Sequence, residues 1–126
     1  MKKRPELEIS LETKEAIFAP GETVAGEVSW LFHDMIKPLE IRLIWYTKGK
    51  GTQDVTLVEK MKIDSNTMSG QSPFSFKLPP TPYSFSGKLI SVIWALELVT
   101  LGKEYKKQVQ IIMGPNKEEV DLFVKS

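Results

Sequence analysis

Thr23-Val24-Ala25-Gly26-Glu27-Val28-Ser29-Trp30-Leu31-Phe32 places apolar or small residues at every even position. Successive side chains of a strand point to opposite faces, so this stretch reads as a strand with Val24, Gly26, Val28, Trp30 and Phe32 on its buried side. The same period of two recurs on both sides of it. Leu7, Ile9 and Leu11 alternate with Glu6, Glu8, Ser10 and Glu12. Leu39, Ile41, Leu43 and Trp45 alternate with Glu40, Arg42, Ile44 and Tyr46. Phe74, Phe76 and Leu78 form a further set, as do Tyr105, Val109, Ile111 and Met113. Residues 55–63 fit less well, because Glu59 falls on the otherwise apolar phase. Residues 89–99 are apolar on both phases, which predicts a central strand covered on both sides.

Punctuation supports this division. All 8 prolines lie between or at the ends of the alternating segments, where their missing N–H breaks no ladder. Pro20-Gly21 is a turn dipeptide, Lys48-Gly49-Lys50-Gly51 a hairpin candidate, and residues 64–71 a polar loop. Gly26, inside a strand, marks a bulge or the close approach of another backbone. The expected fold is all-β: an antiparallel immunoglobulin-like β-sandwich of about seven strands. With 126 residues the chain has room for one domain. Residues 1–114 are assigned to the sandwich. Residues 115–126 form a tail that is either a short helix or an extra strand, with β-branched and aromatic residues favouring the strand.

Composition removes several chemistries. Lys and Arg number 17 against 16 Asp and Glu, so the basic footprint of a nucleic-acid binder is missing. With no cysteine and a single histidine, His33, neither a zinc-thiolate site nor a cysteine nucleophile is possible. His33 beside Asp34 suggests acid/base work, but neighbouring side chains in a strand point apart and no Gly-x-Ser-x-Gly elbow occurs. Asp64-Ser65-Asn66-Thr67 has calcium-like residue types without the length of an EF-hand loop. Gly49-Lys50-Gly51-Thr52 lacks phosphate-loop spacing. The glutamates fall mostly on outward phases, as on a solvated face. Pro79-Pro80-Thr81-Pro82 reads as a rigid connection. We therefore expect no enzyme, no catalytic residues, no metal and no cofactor. The apolar run 89–101 is interrupted and shorter than the ~20 residues that span a bilayer. The basic N-terminus is not followed by an apolar stretch, so a cytoplasmic protein without an integral membrane segment is expected.

One feature points to function. If Leu43 and Trp45 face the core, Ile44 and Tyr46 face outward; if Trp94 faces the core, so do Leu89, Ile93 and Ala95 face outward. The two strands are expected to be neighbours, which makes Ile44, Tyr46, Leu89, Ile93 and Ala95 the candidate partner-binding residues on one apolar sheet face. The cover is either the C-terminal tail, through Val120, Leu122 and Phe123, or a protein partner or second copy, as in a homodimer. Two readings follow. One is a non-catalytic protein-binding scaffold; the alternative is a ligand-binding module of carbohydrate-binding or adhesion type using an aromatic platform.

Three stretches resemble the arrestin-like N-terminal domain family. Phe18-Ala19-Pro20-Gly21-Glu22-Thr23-Val24-Ala25-Gly26-Glu27-Val28 is similar to the family's aromatic-x-Pro-Gly-Glu-x-Val-x-Gly-x-Val segment. Ile36-Lys37-Pro38-Leu39-Glu40-Ile41-Arg42-Leu43 looks like its next strand. Pro73-Phe74-Ser75-Phe76-Lys77-Leu78-Pro79, followed by Pro82-Tyr83-Ser84-Phe85-Ser86-Gly87 and Leu89-Ile90-Ser91-Val92-Ile93-Trp94, resembles its Phe-x-Leu-Pro segment, loop and following strand. Order and spacing agree over roughly residues 5–114. The family includes arrestins, the arrestin-like subunit of retromer and bacterial sporulation-control proteins. The resemblance implies an adaptor or scaffold without catalysis. Two-domain arrestins have a second sandwich for which this chain has no room, so receptor or phosphate recognition is not carried over.

Overall fold

The computed structural model describes residues 4–49, 51, 53–87, 89–102, 104–115 and 120–121. Its ten strands in chain order are β1 (Glu6–Leu11), β2 (Ile17–Phe18), β3 (Thr23–Leu31), β4 (Leu39–Gly49), β5 (Val55–Ile63), β6 (Ser69–Lys77), β7 (Phe85–Ser86), β8 (Ile90–Thr100), β9 (Lys106–Met113) and β10 (Val120–Asp121). The seven longer strands are the alternating segments of the sequence. The three two-residue strands β2, β7 and β10 are too short to show a period.

Local chemistry starts β3. Gly21 has φ of +82°, the left-handed conformation that the third position of a type II turn requires, and Glu22 N–H donates to the Ala19 carbonyl at 3.1 Å. The Glu22 carboxylate closes the turn by accepting the Ala19 N–H at 2.6 Å. β3 then runs antiparallel between β1 and β6, forming a three-stranded sheet.

The larger sheet runs β5–β4–β8 in antiparallel register. Beyond β8, β7 covers its first half and β9 its second. β10 adds in parallel beyond β7, and β2 in parallel beyond β9. β8 is thus central, as its two-sided apolar pattern implies. Val24, Val28, Phe74 and Phe76 from the small sheet meet Ile41, Leu43, Trp94, Leu96, Leu98 and Ile111 from the large one, all buried. The result is an all-β sandwich, with no α-helix among the described residues.

Both buried indoles are satisfied: Trp94 Nε1–H donates to the Pro82 carbonyl at 2.7 Å and Trp30 Nε1–H to the Thr67 carbonyl at 3.1 Å. Replacing Trp30 with Phe keeps most of the packing and removes one such bond. A loss of about 1 kcal/mol in urea unfolding is expected, and an unchanged midpoint would show that the bond adds nothing.

One expectation shifts. The polar loop after β5 ends at Met68, because Ser69, Gly70 and Gln71 pair with Leu31, Trp30 and Ser29 at the start of β6. In the tail, Val120 and Asp121 pair with Phe85 and Ser86 as a strand. Leu122 and Phe123, invoked as cover, lie outside the described residues.

Candidate interaction face

The alternation of β4 and β8 puts Glu40, Arg42, Ile44, Tyr46 and Lys48 on the outer face of the large sheet. Directly opposite them stand Val99, Glu97, Ala95, Ile93 and Ser91. Four of the five predicted residues therefore come together as two cross-strand pairs, Ile44 with Ala95 and Tyr46 with Ile93. Leu89 does not join them. It precedes β8, is separated from Ile93 along the face by Ser91 and Lys48, and is 70% exposed.

Exposure corrects part of the expectation. Ala95 is fully buried and Ile44 only 5% exposed, so neither presents a free surface. Tyr46 covers Ala95, since its hydroxyl oxygen accepts from Gln108 Nε2 at 3.5 Å. Gln108 lies on β9 opposite Glu97, while Tyr46 lies on β4 opposite Ile93. The tyrosine ring must cross β8 at Ala95 to reach it. Tyr46 and Ile93 themselves are half-buried.

The exposed apolar part of this face comes from β5, which the sequence pattern did not indicate. The β4–β5 register shifts between Leu43 and Ile44: Leu43 faces Glu59, while Ile44 faces Leu57 and Tyr46 faces Val55. One extra residue on β5, Val58, makes a β-bulge, and a bulge reverses which face the following residues occupy. Ile63 stays on the core side; Val55 and Leu57 turn outward, 58% and 47% exposed. Glu59 breaking the apolar phase was the one sequence signal of this reversal.

Next to the apolar rows lies a charged network. Arg42 Nε–H donates to Glu40 Oε2 at 2.5 Å, Arg42 Nη1 lies 3.9 Å from Glu97 Oε1, and Lys106 Nζ lies 3.7 Å from Glu97 Oε2. The side chains of Glu40, Glu97 and Arg42 are 3%, 13% and 18% exposed. Glu40 is thus on the outward phase yet buried, against the expectation of a solvated glutamate. Lys62, opposite Glu40, and Lys60, opposite Arg42, remain exposed.

The other candidates resolve into local structure. His33 Nε2 lies 3.1 Å from Glu6 Oε2, tying the end of β3 to the start of β1. The cavity beside it is small, about 30 Å³. In the calcium-like loop, Ser65 Oγ–H donates to the Lys37 carbonyl at 2.9 Å and Thr67 Oγ1–H to the Ser69 carbonyl at 2.7 Å. The first ties the loop to the segment before β4 and the second serves the turn into β6. Among the described residues no helix is long and apolar enough to cross a membrane.

An all-β sandwich with a mixed apolar and charged outer face is the class defined so far. No family model matches the chain, and no curated protein matches it in sequence. Among solved structures it is similar to Spo0M, a sporulation control protein from Bacillus subtilis, with a TM-score of 0.56 and 20% identity. That superposition covers 86% of this chain and 49% of Spo0M, so the chain spans about half the length of that protein. The likeness supports the sandwich fold. A β-glucosidase from Listeria innocua overlaps more loosely, with a TM-score of 0.49 and 15% identity over 87% of this chain and 16% of the enzyme.

Proposed function

We propose that the chain is an arrestin-like sandwich serving as a non-catalytic scaffold, which docks another protein on the outer face of its large sheet. The observation that carries this reading is the bulge-driven outward turn of Val55 and Leu57 beside Tyr46 and Ile93. Exposed apolar side chains that adjoin in a row, rather than scatter singly, favour association. The residue order of the arrestin-like segments and the likeness to Spo0M agree with a fold used for binding. The chemistry-bearing residues are engaged in structure: His33 with Glu6, and Glu40 with Arg42.

Leu57→Asp and Val55→Asp test the reading. Both side chains are exposed, so stability in urea should change by no more than about 0.5 kcal/mol. Binding of a partner captured by the wild type should fall at least about tenfold, the 1.4 kcal/mol that loss of one anchoring side chain readily supplies. Equal capture by both variants would remove this face from consideration.

A further inference from the structure

We infer that the segment docked on this face is acidic as well as apolar: a short stretch of another protein with aliphatic side chains over Val55 and Leu57 and carboxylates over Lys60 and Lys62. This rests on the docking reading above and adds the partner's chemistry. Among the described residues the outer face of β4, β5, β8 and β9 carries five cations, Arg42, Lys48, Lys60, Lys62 and Lys106, against two acids, Glu40 and Glu97. Glu40 is buried and Glu97 largely covered, and both are used internally, Glu40 by Arg42 and Glu97 by Arg42 and Lys106. Solvent therefore meets cations and apolar groups on this face but little negative charge. Along β5 the order is Val55, Leu57, bulge, Lys60, Lys62. An apolar step thus adjoins a basic one along a single line. Complementary charge of this kind steers association and selects partners.

The small sheet carries the opposite sign. Glu6, Glu8 and Glu27 occupy the outward phase of this sheet against one cation, Lys77. The near-zero net charge thus conceals two faces of opposite sign, and among the described residues only the basic one also exposes an apolar row.

Fluorescence anisotropy with three labelled ten-residue peptides tests the inference. The first carries two leucines in one half and two glutamates in the other; the second replaces the glutamates with lysines; the third replaces the leucines with serines. The first peptide is expected to bind at least about tenfold tighter than either other. The preference over the lysine peptide should vanish in Lys60→Gln/Lys62→Gln and weaken as salt shortens the screening length. If the first two peptides bind alike and Leu57→Asp abolishes both, the docking face stands and its acid preference is overturned. If sedimentation shows a dimer that Leu57→Asp dissociates, the occupant is a second copy and the inference is overturned. If no peptide binds and Leu57→Asp alters no association, the docking reading fails as well.

Discussion

Replacing Arg42 with methionine should cost the fold about 3 kcal/mol, because it leaves two acids under cover without their shared cation. The Glu40 side chain is 3% exposed and that of Glu97 13%, so water cannot take over from the guanidinium. Lys106 still reaches Glu97, but Glu40 has no second cation within salt-bridge distance among the described residues. The comparison that separates burial from ordinary surface charge is a double-mutant cycle. Arg42→Met/Glu40→Met removes both members of the pair and should recover most of the loss, since similar-sized apolar replacements of a buried pair are often neutral. Glu40→Met alone should cost less than Arg42→Met, as Arg42 keeps Glu97. An exposed pair would behave otherwise: Arg42→Met would then stay within about 1 kcal/mol of wild type and the cycle would show no coupling. That outcome would mean the network is a surface decoration.

The same network shows where reading by alternation ends. Period two places Glu40, Arg42 and Glu97 correctly on the outward phase, but phase is a statement about direction and not about exposure. Whether an outward side chain meets water depends on its neighbours on adjacent strands, and period two does not give the register that sets them. Tyr46 covering Ala95 is the apolar form of the same effect, since the ring's path requires knowing that Gln108 lies across β8. Val55 and Leu57 failed to appear as candidates for a different reason. A strand with one inserted residue reads as two half-patterns of opposite phase, and a single glutamate out of step is a faint trace of that. The central position of β8, the pairing of β4 with β8 and the burial of Trp30 and Trp94 were legible. Each follows from apolar residues summed over nine or more positions, where one exception does not disturb the pattern.

Gly26→Ala is the second large effect expected, and it explains why the segment from Pro20 to Val28 carries two glycines. At Gly21 the requirement is conformational. Its φ is +82°, and a Cβ there would meet nothing within 4 Å. At Gly26 the backbone conformation is ordinary and the requirement is space. A Cβ there would run into the carbonyl oxygen of Ser10 and come within 3.0 Å of Leu11 Cα. Leu11 is the cross-strand partner of Gly26, so relief would require β1 to lift from β3. β1 brings buried Leu7 to the core, with Ile9 and Leu11 packed against it, so any lifting also loosens that packing. The expected cost is about 3 kcal/mol, at the upper end of overpacking penalties because the obstacle is main chain rather than a movable side chain. Gly21→Ala should cost about 1–2 kcal/mol, the penalty of an L-residue held at positive φ. Urea midpoints at unchanged slope would measure both. Gly26→Ala should be the more damaging; the reverse order would mean that β1 yields to the methyl group, and that the close approach of the two strands at Gly26 places little constraint on the residue there.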